Sequence, residues 1–311
     1  MASVEPVYIK TFEKGYLGNK VKQAREEMAS CTLCPRRCRV NRLEGETGIC
    51  NTGRRAWVSS YGPHFGEEKP LVGTQGSGTI FFTHCNLMCR FCQNYDISHE
   101  AEGQKAEPAQ LAQIMLELQS RGCHNINFVT PSHVIPQLLS GLDLAVEKGL
   151  KIPLIYNSSA YDRVESLRIL EGVIDIYMPD FKFWNSDIAR ESCDAPDYPE
   201  AARSALLEMH RQVGDLAIDD SGLALRGLLI RHLVLPDGLA GTREIMRFIA
   251  RKISKNSYVN IMPQYRPCGD AARVKGLNKY PSKTDFESAV QAAEEEGITR
   301  LDKPRRVFML S

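Results

Sequence analysis

The chain has 311 residues, 43% of them hydrophobic, which is enough apolar material for one large domain or two small ones with a full core. Its 39 basic and 38 acidic side chains cancel to a formal +1, which excludes a global field drawing it to nucleic acid or an anionic membrane. No apolar run reaches signal-peptide length at the start of the sequence, or the roughly 20 residues of a membrane span elsewhere, so the cytoplasm is the expected compartment and neither membrane nor nucleic acid an expected partner. Ten cysteines in a reducing compartment read as metal or redox sites, and seven of them precede residue 93.

In chain order, the character of the sequence changes near residue 77. The first segment, 1–76, is rich in Cys, Arg and Gly and has little periodicity. Within it Cys31, Cys34, Cys38 and Cys50 place four thiols in twenty residues. Four thiolates close a tetrahedral zinc site or carry an iron-sulfur cluster, and the spacing of an all-thiolate set does not discriminate between the two. A closed structural site is expected, because a segment with so few apolar residues would gain its fold from the metal. Arg36, Arg37, Arg39, Arg42, Arg54 and Arg55 crowd the same stretch against only Glu44 and Glu46, a local positive face able to grip phosphates or an acidic protein surface.

From residue 77 onward, short apolar runs at 79–83, 126–130, 153–156, 174–178, 228–235 and 258–262 predict buried parallel strands. Between them, Pro108 opens a helix whose stripe is Leu111, Ile114, Met115 and Leu118, and further helices are expected over 136–148, 165–171, 199–213, 243–253 and 283–296. Six strands alternating with helices predict an α/β architecture with right-handed crossovers. A doubly wound sheet and an incomplete barrel both fit that count. In either, the site lies at the carboxyl ends of the strands.

Directly after the first of these strands comes Thr83-His84-Cys85-Asn86-Leu87-Met88-Cys89-Arg90-Phe91-Cys92-Gln93-Asn94. Three thiolates at i, i+4 and i+7 can hold three corners of a cubane [4Fe-4S] cluster and leave the fourth iron open. S-adenosylmethionine fills such a position through its amino and carboxylate groups, and one electron then breaks a carbon-sulfur bond to give the 5′-deoxyadenosyl radical. A structural zinc site completed by His84 or His99 is the alternative that the thiols alone leave open.

Three cysteines with three and then two residues between them resemble the signature of the radical S-adenosylmethionine superfamily. The runs GSGTIFFTHCNLMCRFCQNYDIS, HNINFVTPSH, YNSSAYD, DIYMPDFKFW and LLIRHLVLPDG look like its pyruvate formate-lyase activating enzyme-like (PflX-type) branch, from about Cys31 to the C-terminus. The resemblance implies a partial (β/α)6 barrel spanning 77–311, with the cluster at its open top and Cys85, Cys89 and Cys92 as the catalytic metal ligands.

Carried over residue by residue, it implies cofactor contacts from Asn127, Thr130 and Ser132 after the second strand, from Asn157 and Ser158 after the third, from Asp180 and Lys182 after the fourth, and from Arg231 in the fifth. Related enzymes carry Gly-Gly-Glu where this chain has Val129-Thr130-Pro131-Ser132, so that contact is made differently. Asn157 and Ser158 could instead form a turn capping the next helix. Arg231, followed by His232 among Leu and Ile, requires an anionic partner, for which the cofactor carboxylate is the expectation. The stretch Met262 to Arg266 is expected on the substrate side. Cys123 and Cys193 read as small buried hydrophobes, and Cys268 is the one isolated cysteine placed to face the cavity.

The resemblance implies hydrogen abstraction from a glycine of a partner glycyl-radical enzyme, with a low-potential electron donor such as a ferredoxin or flavodoxin. The alternatives are abstraction from a small molecule, peptide or RNA presented by the four-cysteine module, or a cluster-bearing sensor without catalysis.

Overall fold

The computed structural model describes residues 5–302, so 1–4 and 303–311, the outer ends of the two segments read from the sequence, lie outside the described residues. Along the chain run α1 (Val7–Glu13), α2 (Tyr16–Glu26), β1 (Ala56–His64), α3 (Lys69–Val72), β2 (Ser77–Phe82), α4 (Tyr95–Ser98), β3 (Gln104–Ala106), α5 (Pro108–Ser120), β4 (Ile126–Val129) and α6 (Ile135–Glu147). There follow β5 (Leu154–Ser158), α7 (Val164–Ile169), β6 (Ile176–Pro179), α8 (Ser186–Cys193), α9 (Tyr198–Val213), β7 (Ala217–Ile218), β8 (Ala224–Leu233), α10 (Thr242–Phe248), β9 (Tyr258–Met262) and α11 (Lys283–Glu295).

The strands β2, β4, β5, β6, β8 and β9 pair in parallel and in chain order. Each overlaps one of the six runs read from the sequence, and the result is a mixed α/β fold with a predominantly parallel sheet. Because the order never reverses, the doubly wound alternative, which requires a reversal at its ligand crevice, is not the arrangement formed. Sheet pairing crosses residue 77: β1, from the first segment, runs antiparallel beside β2, and β3 pairs with its other edge. Among the described residues no helix is long and apolar enough to cross a membrane.

Local signals explain several elements. Before α5, the Glu107 side chain caps the first turn while Gln110 returns a bond to the Glu107 N–H, and Pro108 supplies a preset φ at the first helical position. Leu111, Ala112, Met115 and Leu118 then form its buried face. By contrast, α1 and α2 fall in a stretch without helical periodicity, and distant partners hold them. The Tyr8 hydroxyl donates to the Ile152 carbonyl at 2.9 Å, the Val7 N–H to Asp175 at 2.9 Å, and the Thr11 hydroxyl to the Gly172 carbonyl at 2.6 Å.

The two faces of the sheet differ. Ile80, Phe82, Ile126, Phe128, Tyr156, Tyr177, Ile230 and Ile261 belong to the main core with the helices. Residues of opposite parity, Ile155, Ile176, Met178 and Leu229, form a second cluster with Leu71 and Leu216. With a side-chain period of two, Thr79, Asn127, Asn157, Asp180, Arg231 and Asn260 all share the second face.

His232 lies on the helix face and is fully buried. Its Nδ1 sits 2.8 Å from the Phe181 carbonyl, so that nitrogen carries the proton, and Nε2 accepts from the Thr242 hydroxyl at 2.8 Å. Burial lowers its pKa from 6.5 to about 4. The unfolded chain therefore takes up this proton first, and the stability that neutral His232 contributes is complete above pH 6.5 and lost as pH falls toward 4. Urea denaturation at pH 7 and at pH 5 should show a loss of about 2 kcal/mol from this source. That part of the loss should vanish in His232→Gln.

Candidate functional site

Beyond Phe82 the backbone turns sharply, with His84 and Met88 at left-handed φ of 73° and 57°. Thr130 and Ala160, just past β4 and β5, each take a φ of 60°. A β-branched residue at positive φ costs roughly 1–3 kcal/mol. Positive φ thus recurs at three adjacent strand ends along the carboxyl edge of the sheet.

The first of these turns gathers Cys85, Cys89 and Cys92. Burial, and then the neighbouring Cys89 thiol, push Cys85 up to about 12, and the same two causes raise Cys92. Cys89 is raised by a hydrogen bond with the Cys193 thiol and by burial. Cys89 is buried and Cys85 and Cys92 are half-buried, and thiols raised in this way give up their protons to a cation or cluster that binds them as thiolates, so the donor set fits a thiophilic group. Among the described residues no three Cys, His, Asp or Glu side chains converge closely enough to share one ion.

Lys182 stands beside the same thiols. Burial pulls its pKa down, but the Asp180 carboxylate and then Cys89 raise it above its ordinary value. Its Nζ donates to Asp180 Oδ2 at 2.5 Å, while the other carboxylate oxygen is buried without a partner. Asn127 is fully buried with neither amide atom hydrogen-bonded, and the Ser132 Oγ lies beside Tyr156 and Asp162 without a bond of good geometry. Orphaned buried polar atoms cost about 1–3 kcal/mol each unless a ligand meets them. Asn127 and Asp180 share one sheet face by parity, and Asp180 stands beside Cys89.

Two expectations need correction. Arg231 already has its anions: its guanidinium makes bonds of 2.7 and 2.8 Å to Glu68 and a further ion pair with Glu67, both from the segment between β1 and α3. It is therefore not free to hold a cofactor carboxylate. Ser158 belongs to the helix face by parity. It donates to Asp162 at 2.6 Å and accepts from the Ala160 N–H, forming the turn. Of that pair only Asn157 stays on the second face, and its Oδ1 faces Arg231 Nη1 at 3.5 Å. Thr130 is half-buried, and its N–H donates to the Asn157 carbonyl at 2.9 Å, tying two strand ends together.

The turn is braced by the first segment. Arg36 Nε donates to the Asn86 carbonyl at 3.1 Å, and Nη2 to the Leu87 and Cys193 carbonyls at 3.1 and 2.7 Å. Thr52 Oγ1 lies 3.2 Å from His84 Nδ1. From the other side, Gln93 donates to the Gln264 carbonyl at 3.0 Å and the Asp270 N–H to the Arg90 carbonyl at 2.7 Å. Cys268 is half-buried in that returning loop. Losing the Arg36 contacts should cost roughly 2–4 kcal/mol, so Arg36→Met should denature at lower urea.

Cys31, Cys34, Cys38 and Cys50 line one cavity beneath this brace. Burial, and then Cys50, push Cys34 up to about 12. The six arginines nearby do not form one solvated face. Arg36 is engaged as above, and Arg42 is fully buried, donating to the Gly53 carbonyl and, at 3.8 Å, to Cys31 Sγ. Arg37, Arg39, Arg54 and Arg55 remain exposed, with Arg55 paired to Glu107.

Four residues that meet these groups carry no local signal. Cys193 looks like any isolated core cysteine, yet its thiol meets Cys89. Glu67 and Glu68 are an unremarked acidic pair until the sheet brings them to Arg231. His133 lines the four-cysteine cavity from the start of the crossover after β4.

No family model matches the chain. Two solved structures of HydG, described as a maturase of the FeFe-hydrogenase, align with TM-scores of 0.47 and, for the Carboxydothermus hydrogenoformans protein, 0.43. Both are 13% identical and cover 72% of this chain, which spans only about half of HydG (50% and 51%). QueE from Escherichia coli aligns with a TM-score of 0.41 at 10% identity, over 81% of this chain and 95% of QueE. Likeness of this degree carries no argument about activity. Sequence likeness reaches further: a protein of Methanocaldococcus jannaschii is 33% identical over 287 residues, 90% of this chain and 78% of that protein. The chain accordingly belongs to the family of that relative, the uncharacterized protein MJ0674.

Proposed function

We propose that the chain is a radical S-adenosylmethionine enzyme on a partial (β/α)6 barrel, with Cys85, Cys89 and Cys92 holding a [4Fe-4S] cluster. One observation carries the reading: three thiols, Cys89 buried and Cys85 and Cys92 half-buried, on the strained turn after β2, with the Asp180–Lys182 pair beside Cys89 and the orphaned amide of Asn127 on the same sheet face as Asp180. When bound, the cluster supplies one electron to cleave S-adenosylmethionine, and the resulting 5′-deoxyadenosyl radical abstracts hydrogen from a substrate. Asn127, Asp180 and Lys182 are the side chains that orient the cofactor, with Thr130 and Ser132 shaping the edge above β4. A second metal sits among Cys31, Cys34, Cys38 and Cys50. The electron comes from a cytoplasmic ferredoxin or flavodoxin.

The substrate of first choice is a glycine of a partner enzyme, as in activases. The second reading, a small molecule, peptide or RNA presented by the four-cysteine module, is favoured by the direct bracing of the cysteine turn by Arg36 and Thr52. Anaerobic protein reduced with dithionite and given S-adenosylmethionine is expected to release 5′-deoxyadenosine, quantified by chromatography. The Cys85→Ala, Cys89→Ala, Cys92→Ala variant is expected to release none. A silent wild type with its iron in place refutes the reading and favours a sensor.

A further inference from the structure

The three thiols of the turn after β2 differ in where their hydrogen bonds come from. Cys85 Sγ accepts from the Leu87 N–H at 3.4 Å and from the Met88 N–H, and Cys92 accepts from the Asn94 N–H and the Ser98 hydroxyl. These donors belong to the turn itself or to the short helix α4 that follows it. Cys89 is served from elsewhere in the chain: its hydrogen bond is with the thiol of Cys193, the last residue of α8.

Cys193 is held in that place. The helix starts on the Asn185 side chain, which accepts from the Asp187 and Ile188 N–H groups at 2.7 and 3.2 Å, and it stops at Asp194, where a φ of 50° turns the chain away. Its end is tied twice to the cysteine turn. The Arg90 N–H donates to the Ser192 carbonyl at 2.9 Å, and Arg36 Nη2 bridges the Leu87 and Cys193 carbonyls. Ser192 is fully buried and Cys193 is 2% exposed, so neither reaches water without breaking this seam.

The chemistry of a ligated sulfur sets the direction of the bond. A thiolate bound to a metal has lone pairs and no proton, so it can only accept. Cys193 lies outside the three-cysteine motif, keeps its S–H and is therefore the donor. Hydrogen bonds to the sulfurs help to set the reduction potential of a cluster, because they favour the more negative, reduced state. An S–H is a weak donor, but burial in a low-dielectric seam strengthens the bond.

We infer that Cys193 is a positioning residue for the proposed cluster: its S–H donates to the ligated sulfur of Cys89, orients that ligand and raises the midpoint potential. The inference rests on the proposed function, which places a cluster on Cys89. Packing alone is the role of an ordinary buried cysteine. Cys193→Ala and Cys193→Ser separate the two roles, since both remove the sulfur and leave side chains of nearly equal size, but only Cys193→Ser keeps a donor.

The test is a redox titration, read by electron paramagnetic resonance, of full-length wild type, Cys193→Ala and Cys193→Ser prepared without oxygen. The cluster signal is assigned as the one missing from the Cys85→Ala, Cys89→Ala, Cys92→Ala variant. Cys193→Ala is expected to shift the reduction equilibrium on the order of tenfold toward the oxidised cluster, a fall of about 59 mV for a one-electron couple, with iron content unchanged. Cys193→Ser is expected to stay at or above the wild-type potential, because a hydroxyl is the stronger donor. Equal potentials in Cys193→Ala and Cys193→Ser overturn the inference, whether or not they match wild type. Loss of the cluster from Cys193→Ala alone supports it, since only the donor distinguishes the two variants. Misfolding or cluster loss in both shows that the bulk of the sulfur is what the turn needs, and overturns it. A wild type without the assigned signal refutes the proposed cluster and this inference together. Potentials that separate as expected without 5′-deoxyadenosine formation refute the proposed catalysis and leave Cys193 in its role.

Discussion

Replacing Arg231 with Met is expected to lower the unfolding free energy by about 3–5 kcal/mol at neutral pH, the cost of stranding buried charge. The guanidinium is the cation between Glu67 and Glu68, both buried, and the Asn260 amide donates to Glu68 at 2.6 Å. Burial alone pushes Glu67 up, but Arg231 and the hydrogen bond from His64 hold it at about 2 against an ordinary 4.5. A depressed carboxyl pKa contributes stability that is complete above pH 4.5 and lost as pH falls toward 2. In Arg231→Met that contribution disappears and the carboxyls instead favour protonation, so the variant's deficit should shrink between pH 8 and pH 5. Adding Glu67→Gln and Glu68→Gln should recover part of the loss in urea titrations. An Arg231→Met protein as stable as wild type would show that the pair is solvated rather than buried.

The second large effect concerns Lys182. Its ammonium is buried beside Asp180, Cys89 and Cys92, so it compensates negative charge on whatever the thiols bind. Lys182→Met should reduce 5′-deoxyadenosine formation roughly 100-fold, in the range for losing one preorganised electrostatic partner. Iron content should be nearly unchanged, and the midpoint potential of the cluster should fall, because adding an electron without a nearby cation is less favourable. A variant with full iron, unshifted potential and normal turnover would remove Lys182 from the site. Lys182→Arg should lose less of the potential than of the rate, since it keeps the charge but not the compact geometry of the ammonium.

The residues proposed to carry the chemistry are legible in the sequence because they are local. Cys85, Cys89 and Cys92 lie within eight residues after an apolar run, and Asp180 and Lys182 close a strand two positions apart. Parity is also local: one step along a strand moves a side chain to the other face, so neither Ser158 nor His232 shares the face of Asn157 and Arg231. The partner of Arg231 was not legible at all, because Glu67 and Glu68 lie more than 160 residues away, and only the folded sheet brings them to it.

The sequence by itself determined the six strands, the helices that alternate with them, and the two groups of thiols, since periodicity and ligand spacing are properties of neighbouring residues. The tertiary structure decided that the sheet winds in one direction, that β1 joins it across residue 77, that Arg36 braces the cysteine turn, and that Cys193 and His133 stand beside the two thiol groups. Such contacts are set by which distant surfaces bury together, and those of Arg36 and His133 join residues 50 to 157 positions apart.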